Sequence, residues 1–234
     1  MKQIVLGYDG SDFSVQALDW ALDEAELRKL PLTVAHAWQW PYGQAEEEAK
    51  AHLRKAAEHV LWHGADCARR TSSGVPVETD LHEGPAAERL VELSQDAALV
   101  VVGSRGLSAL SRAVVGSVAE YVAVHAGCPV IVVRGPGPLP AASRPGPVVV
   151  AEPAPDAAVL EFASEEAALR RLPLSVSAAS ASSGWAARHP GVRLQPVADH
   201  GAASLMVVGR RRATRAGIAA FLLQHAPCPV AVVG

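Results

Sequence analysis

Short apolar runs alternate with amphipathic stretches along the first 134 residues of this 234-residue chain. The apolar runs, rich in Val, Ile and Leu, read as strands, and segments with apolar positions three and four apart read as helices. The pattern predicts strands at 3–8, 32–38, 75–81, 98–103 and 130–133, and helices at 14–29, 45–70, 86–96 and 117–126. In the first of these helices Val15, Leu18, Ala21, Leu22 and Ala25 define the apolar face. Regular alternation of strand and helix means an α/β fold, a parallel sheet covered by helices. Ligands in such sheets bind beyond the strand C-termini, where the strand order reverses.

A shorter version of the pattern follows. The stretch Leu27-Arg28-Lys29-Leu30-Pro31-Leu32-Thr33-Val34 returns as Leu169-Arg170-Arg171-Leu172-Pro173-Leu174-Ser175-Val176, and His125-Ala126-Gly127-Cys128-Pro129-Val130 returns as His225-Ala226-Pro227-Cys228-Pro229-Val230. The chain therefore reads as a tandem duplication over residues 1–134 and 148–234. Residues 135–147 hold five prolines and three glycines in 13 positions, a composition suited to a semi-extended linker. The second copy predicts strands near 147–151, 173–179, 192–197, 205–209 and 230–233, and helices near 156–171 and 216–225. Only the short stretches 181–190 and 199–203 stand where the first copy has two of its helices. The second domain is thus expected to be degenerate, with the first repeat covering its bare sheet face.

The richest local signal is Val100-Val101-Val102-Gly103-Ser104-Arg105-Gly106, followed after nine residues by Gly116-Ser117-Val118-Ala119-Glu120. It reads as a buried strand, a glycine-hinged loop and a helix N-terminus, which places backbone N–H groups where a phosphate chain can sit. Ser117 and Glu120 have the spacing of a capping box, so a helix is predicted to start there. Gly116, without a Cβ, lets a ligand approach that helix end. On these residues alone an ordinary strand, loop and capped helix remains an open reading. Asp9, Ala37 and Gly103 all follow predicted strand C-termini, the position of a ligand in a doubly wound sheet.

The pattern Gly103-x2-Gly106-x9-Gly116-Ser117, closed by Cys128-Pro129-Val130-Ile131-Val132-Val133, resembles the ATP-binding branch of the universal stress protein (UspA-like) family. Asp9-Gly10-Ser11 after the first strand, His36 and Ala37 at the end of the second and Glu83-Gly84-Pro85 before a helix fall in the family's order. The resemblance spans residues 1–134. It implies two tandem Rossmann-like, HUP-type open sheets of five parallel strands, and ATP, with or without Mg²⁺, as cofactor. Gly103, Ser104, Arg105, Gly106, Gly116, Ser117 and Val118 would wrap the triphosphate, largely through backbone N–H groups, and Val102 is a further expected cofactor-binding residue. Ser117 would bond a phosphate or serve only as the helix cap. Gly7 and Ala37 would line the adenine pocket, and Asp9 would lie near the ribose or else cap the helix entry. The resemblance further implies sensing or signalling by nucleotide occupancy, through a protein partner the sequence does not identify. Val130 to Val133 would pair with Val230 to Val233 in an intramolecular pseudo-dimer, with a homodimer also open. In the second repeat Asp9 corresponds to Ala151, Gly106 to Arg212, and Gly116 and Ser117 to Ala216 and Gly217, so no nucleotide site is expected there.

Half of the residues are hydrophobic, enough for a buried core, and the net charge of −3 is unevenly spread. Residues 1–134 carry 12 basic and 18 acidic side chains, the remainder 9 and 6. Most of the second half's basic excess is Arg210-Arg211-Arg212 with Arg215. Without aromatic interleaving or a wider basic face this run reads as a solvated loop, and nucleic-acid binding is disfavoured. The start lacks a signal-peptide pattern and no apolar run approaches the roughly 20 residues that span a bilayer, so a cytosolic protein without a membrane role is expected. Three cysteines, an odd number, fit a reducing compartment, and Cys128 and Cys228 read as small buried apolar residues. There is no P-loop lysine and no clear base. His52, His59 and His63 read as solvated on the long helix, His36 as a satisfied core residue, and His125 and His225 as sharing a packing role. Slow ATP hydrolysis is the enzymatic alternative and a nucleotide-free interaction scaffold the third reading.

Overall fold

The Val-rich runs pair into one continuous sheet. A computed structural model describes residues 2–40, 47–106, 116–134, 146–152, 154–177, 185, 188–189, 191–195, 202–210 and 218–234. In chain order the elements are β1 (Ile4–Gly7), α1 (Asp12–Arg28), β2 (Leu32–Trp38), α2 (Glu47–Thr71), β3 (Val77–Glu83), α3 (Ala86–Leu93), β4 (Leu99–Gly103), α4 (Ser117–His125) and β5 (Val130–Val133). They continue with β6 (Val148–Val150), α5 (Ala157–Arg170), β7 (Leu174–Ser175), β8 (Leu194–Gln195), β9 (Leu205–Gly209), α6 (Ile218–His225) and β10 (Val230–Val233). The strand order is β3-β2-β1-β4-β5-β10-β9-β6-β7-β8. All pairs are parallel except β5–β10, where Val132, Ile131 and Val130 oppose Val230, Ala231 and Val232. The two five-stranded sheets expected from the sequence are therefore joined edge to edge at the strands expected to meet.

Alternation along the strands builds two core layers. Ile4, Leu6, Leu99, Val101, Ile131, Val133 and their counterparts Leu205, Val207, Ala231 and Val233 face α1, α2 and α5. Val5, Val100, Val102, Val130, Val132, Met206, Val208, Val230 and Val232 face α3, α4 and α6. Near-continuous Val runs are what a sheet covered on both faces requires.

Several sequence expectations shift. Helix α1 starts at Asp12 because Ser11 caps it, its Oγ accepting from Ser14 N at 3.3 Å. Val15, expected on the apolar face, is exposed, whereas Trp20 and Glu24 are buried. Helix α1 is covered on a second side by α5. Strand β3 runs two residues later than expected, and its mostly polar residues fit an edge strand. Helix α3 ends at Leu93 rather than 96. Strands β7 and β8 have two residues each, less than the expected 173–179 and 192–197. Most of the linker and of 181–190, and residues 199–201 and 211–217, lie outside the described residues.

The repeated Leu-Arg-Lys/Arg-Leu-Pro-Leu stretch ends a helix and launches a strand in both copies. Lys29 and Arg171 each adopt φ 55°, and Leu30 N–H and Leu172 N–H return to Ala25 O and Ala167 O at 3.0 and 2.9 Å. This is the left-handed helix termination normally given to glycine.

Where α1 meets α5, four charges are buried together. Arg28 donates to Glu24 at 2.9 Å and Glu166 at 2.5 Å, and Arg170 donates to Glu24 at 2.5 Å and Glu166 at 3.0 Å. Neither carboxylate is exposed at all. Trp20 Nε1 donates to Glu24 Oε1 at 3.0 Å, and the Arg170 guanidinium lies 4.2 Å over the Trp20 ring. Burial pushes Glu24 up, but the Arg170 and Arg28 charges outweigh it and hold the carboxyl below its ordinary value. Burial and the facing Glu24 push Glu166 up to about 7.

Candidate functional site

Strand order reverses between β1 and β4, and a cavity of about 290 Å³ opens there at the strand C-termini. Its floor is made by the ends of β1, β2 and β4, its sides by α3 and by the start of α4. One end is apolar, with Gly7, Ala35, Ala37, Ala86 and Leu90. The other holds Asp9, Gly103, Arg105, Gly106, Gly116, Ser117 and Val118.

Contact, not dihedral angle, requires glycine at 103, where the neighbour is backbone; at 7 and 106 a Cβ would press on the end of a side chain that can shift. A Cβ on Gly7 would stand 2.9 Å from Leu90 Cδ1, one on Gly103 2.7 Å from the Phe13 backbone, and one on Gly106 2.5 Å from Asp9 Oδ2. Gly116 differs: a Cβ there would meet nothing closer than 3.5 Å. Among the described residues, contact alone does not require glycine at 116.

Asp9 is held in place by α1. Its Oδ1 accepts from Ser11 N at 3.0 Å and Ser11 Oγ at 2.6 Å. Ser11, and not Asp9, is the helix cap. The Arg105 guanidinium lies 4.4 Å over the Phe13 ring at the cavity edge. At the start of α4 the expected capping box is absent. Gly116 is the N-cap, Ser117 the first helical residue, and no side chain caps the end. Gly116 N–H is anchored on Ser104 O at 2.8 Å and Glu120 N–H reaches back to Gly116 O at 3.1 Å. The amides of Ser117, Val118 and Ala119 are then those for which an α-helix offers no internal acceptor.

Ten of the eleven residues expected from the sequence border this one cavity: Gly7, Asp9, Ala37, Val102, Gly103, Arg105, Gly106, Gly116, Ser117 and Val118. Ser104 does not. It is buried, its N–H is committed to Val133 O at 2.8 Å, and its Oγ has no partner. Tyr8, Ser14, Ala35, His36, Ala86, Arg89, Leu90 and Ala119 also border the cavity and were missed. Ala86 and Leu90, four apart on α3, carry a legible apolar stripe; Arg89 carries no such signal. Its guanidinium is fixed by Asp80 at 2.6 and 3.0 Å and by Glu92 at 3.0 Å.

Around the cavity, His36 Nδ1–H donates to Tyr8 O at 2.8 Å, which makes it the satisfied residue expected. His63, expected to be solvated, is exposed yet sits 2.9 Å from Tyr8 Oη through Nδ1, with Cys67 Sγ 3.8 Å from its Nε2. Burial, with Cys67 and Asp9 nearby, pushes the Tyr8 phenol above its ordinary value. His125 and His225 share a local role, each stacked on the aromatic ring four residues before it, Tyr121 or Phe221. Among the described residues no three His, Cys, Asp or Glu side chains group as a metal site, and no helix is long and apolar enough to cross a membrane.

At the end of β9 in the second half an acid is turned inward. Glu152, only 5% exposed, accepts from Gly209 N–H at 2.9 Å, and Gly209 aligns with Gly103 through the shared Val-Val-Gly.

Residues 1–134 match the sequence model of the universal stress protein family. The chain belongs to that family. A universal stress protein of Mycobacterium tuberculosis, Rv2624c, is 32% identical over 240 aligned positions, covering 96% of this chain and 82% of its own. Among solved structures, a universal stress protein from Archaeoglobus fulgidus covers 99% of this chain and 95% of its own at 18% identity, with a TM-score of 0.72, a likeness of fold over both halves. Another universal stress protein, solved in complex with cAMP, covers 57% of this chain at 29% identity with a TM-score of 0.47.

Proposed function

We propose that this universal stress protein binds one adenine nucleotide, ATP, in the cavity of residues 1–134, and that occupancy of the site is the signal it passes to a partner in the cytosol. The observation that carries this reading is the joining of two chemistries in one cavity. The small apolar end, with Gly7, Ala35, Ala37 and Leu90, suits a flat heterocycle. The polar end offers the amides of Ser117, Val118 and Ala119, the Arg105 cation and the glycine turn, which suit phosphate oxygens. Asp9, between the two, suits the hydroxyls of a ribose. Mg²⁺ would arrive with the phosphates and be held beside Asp9. Residues 148–234 form a second unit that holds no nucleotide, since Glu152 already supplies an anion to the equivalent turn.

The test is equilibrium dialysis of ATP against the full chain and against Gly116→Val. A Cβ at 116 stands at least 3.5 Å from the described residues, and the branched side chain beyond it would occupy the space where phosphate would lie. About one ATP per chain is expected, with affinity in the variant lowered at least tenfold while circular dichroism shows the variant still folded. Equal binding by the two proteins would refute the assignment of this cavity.

A further inference from the structure

Arg210 does not border the cavity of the first half, and it is not the solvated loop residue expected from the sequence. Its guanidinium crosses the β5–β10 seam to the end of α4, where Nε donates to Ala123 O at 3.1 Å, Nη2 to Cys128 O at 2.6 Å, and Nη1 to Ala126 O. Arg134 makes the reverse crossing, donating to Leu222 O at 3.1 Å, to Leu223 O, and to Gln224 O at 2.7 Å at the end of α6. Each half thus donates to carbonyls at the C-terminal end of the other half's helix, among them Ala123 O and Leu223 O, and Arg210 also to Cys128 O just beyond it.

The two crossings come from positions that do not correspond. Alignment on Cys-Pro-Val sets Gly234 opposite Arg134, and alignment on Val-Val-Gly sets Ser104 opposite Arg210. Gly234 has no side chain to send. A Cβ on it would stand 2.8 Å from Arg210 Nη1 and 3.0 Å from Cζ, so Arg210 fills the room that a larger residue 234 would need.

We propose that Arg210 is a positioning residue for the nucleotide site of the other half, fixing α4 from its C-terminal end so that the amides of Ser117, Val118 and Ala119 meet the phosphates. This rests on the adenine-nucleotide reading above. Helix α4 is only nine residues long, and its two ends are tied to different halves: Gly116 N–H to Ser104 O at one, Arg210 at the other. A cation at the C-terminus and an anionic ligand at the N-terminus stabilise the same helix dipole, so loss of the first weakens the second. Burial pushes the Arg210 guanidinium down from its ordinary value, yet an arginine stays charged in a protein.

The test is calorimetric titration with ATP of the full chain, Arg210→Met, Arg210→Lys and Glu165→Ala. The last breaks the Arg28–Glu165 pair at the α1–α5 contact and touches nothing in α4. Arg210→Met should weaken ATP about three- to tenfold and quicken amide exchange along α4, while Glu165→Ala binds within about twofold of the unmodified chain. Arg210→Lys keeps the charge but cannot reach three carbonyls at once; it should lose about two- to threefold, and it carries the test should the Met variant fail to fold. ATP binding that both Arg210 variants leave unchanged would overturn this inference alone. Equal weakening in Glu165→Ala and Arg210→Met would overturn it in favour of a general effect of the seam. No ATP binding by the unmodified chain would overturn the nucleotide reading and this inference together.

Discussion

Replacing Arg170 with Met removes one of two cations from a site that holds two fully buried carboxylates. Arg170 is 7% exposed, donates to Glu24 and Glu166, and covers the Trp20 ring. With it gone, Arg28 alone faces both acids, and one negative charge lies in the α1–α5 contact without a partner. Breaking a buried pair from one side costs about 3–5 kcal/mol, a large part of the roughly 5–15 kcal/mol that holds a domain folded. The cost should depend on pH in a fixed direction. A carboxyl raised above its unfolded value gives full stability below that unfolded value, and this stability is lost as pH rises through the folded value. Glu166 already stands at about 7 and would go higher without Arg170, so the variant should lose most at pH 8 and considerably less at pH 5.5. Urea unfolding followed by circular dichroism at the two pH values measures both. A loss under about 1 kcal/mol at pH 8, or a loss larger at pH 5.5 than at pH 8, would refute the account of the cluster. Replacing all four charged residues by Leu and Met of similar volume should, by contrast, be close to neutral.

Two further outcomes follow from contacts already described. Gly103→Ala should lower the free energy of urea unfolding by about 1–3 kcal/mol because its Cβ would press on the Phe13 backbone, whereas Gly74→Ala, with nothing within 4 Å, should stay within about 0.5 kcal/mol; equal stabilities would contradict the close approach. Iodoacetamide at pH 8 should label Cys67 first and leave Cys128 and Cys228 unlabelled until urea is added, since both are buried and burial pushes the Cys128 thiol up to about 11; mass spectrometry of the peptides reads the order.

Much of the fold was legible because the period of apolar residues reports which side of a strand or helix is covered, and β1, β4, β5, β9 and β10 are covered on both sides. The parts that were not legible are those whose cover comes from far along the chain. Val15 reads as core in sequence yet is exposed, while Leu18, Ala21, Leu22 and Ala25 are buried as expected; Glu24 is buried as well because Arg170, some 140 residues on, meets it. The glycine pattern was the legible part of the cavity, and at 103 the Phe13 backbone leaves no room for a Cβ. Ser104 sits inside the same motif but does not border the cavity, because spacing cannot tell an amide that faces a cavity from one spent on the neighbouring strand. The capping box at Ser117 failed for a related reason: Gly116 takes the cap position one residue earlier, and Ser117 is already helical. Tyr8 and Arg89 reach the cavity through tertiary placement, which no local pattern records.

The antiparallel meeting of β5 and β10 has a consequence for how such a chain can change over time. Where two identical subunits meet about a two-fold axis, any substitution appears on both sides at once, so neither subunit can specialise without the other. Here the two sides are encoded separately. Arg134 can stay opposite a glycine at 234, Ser104 can stay small while its counterpart is an arginine, and Glu152 can close one turn while the other stays open. Linking the copies in one polypeptide freed each from having to fit its own image.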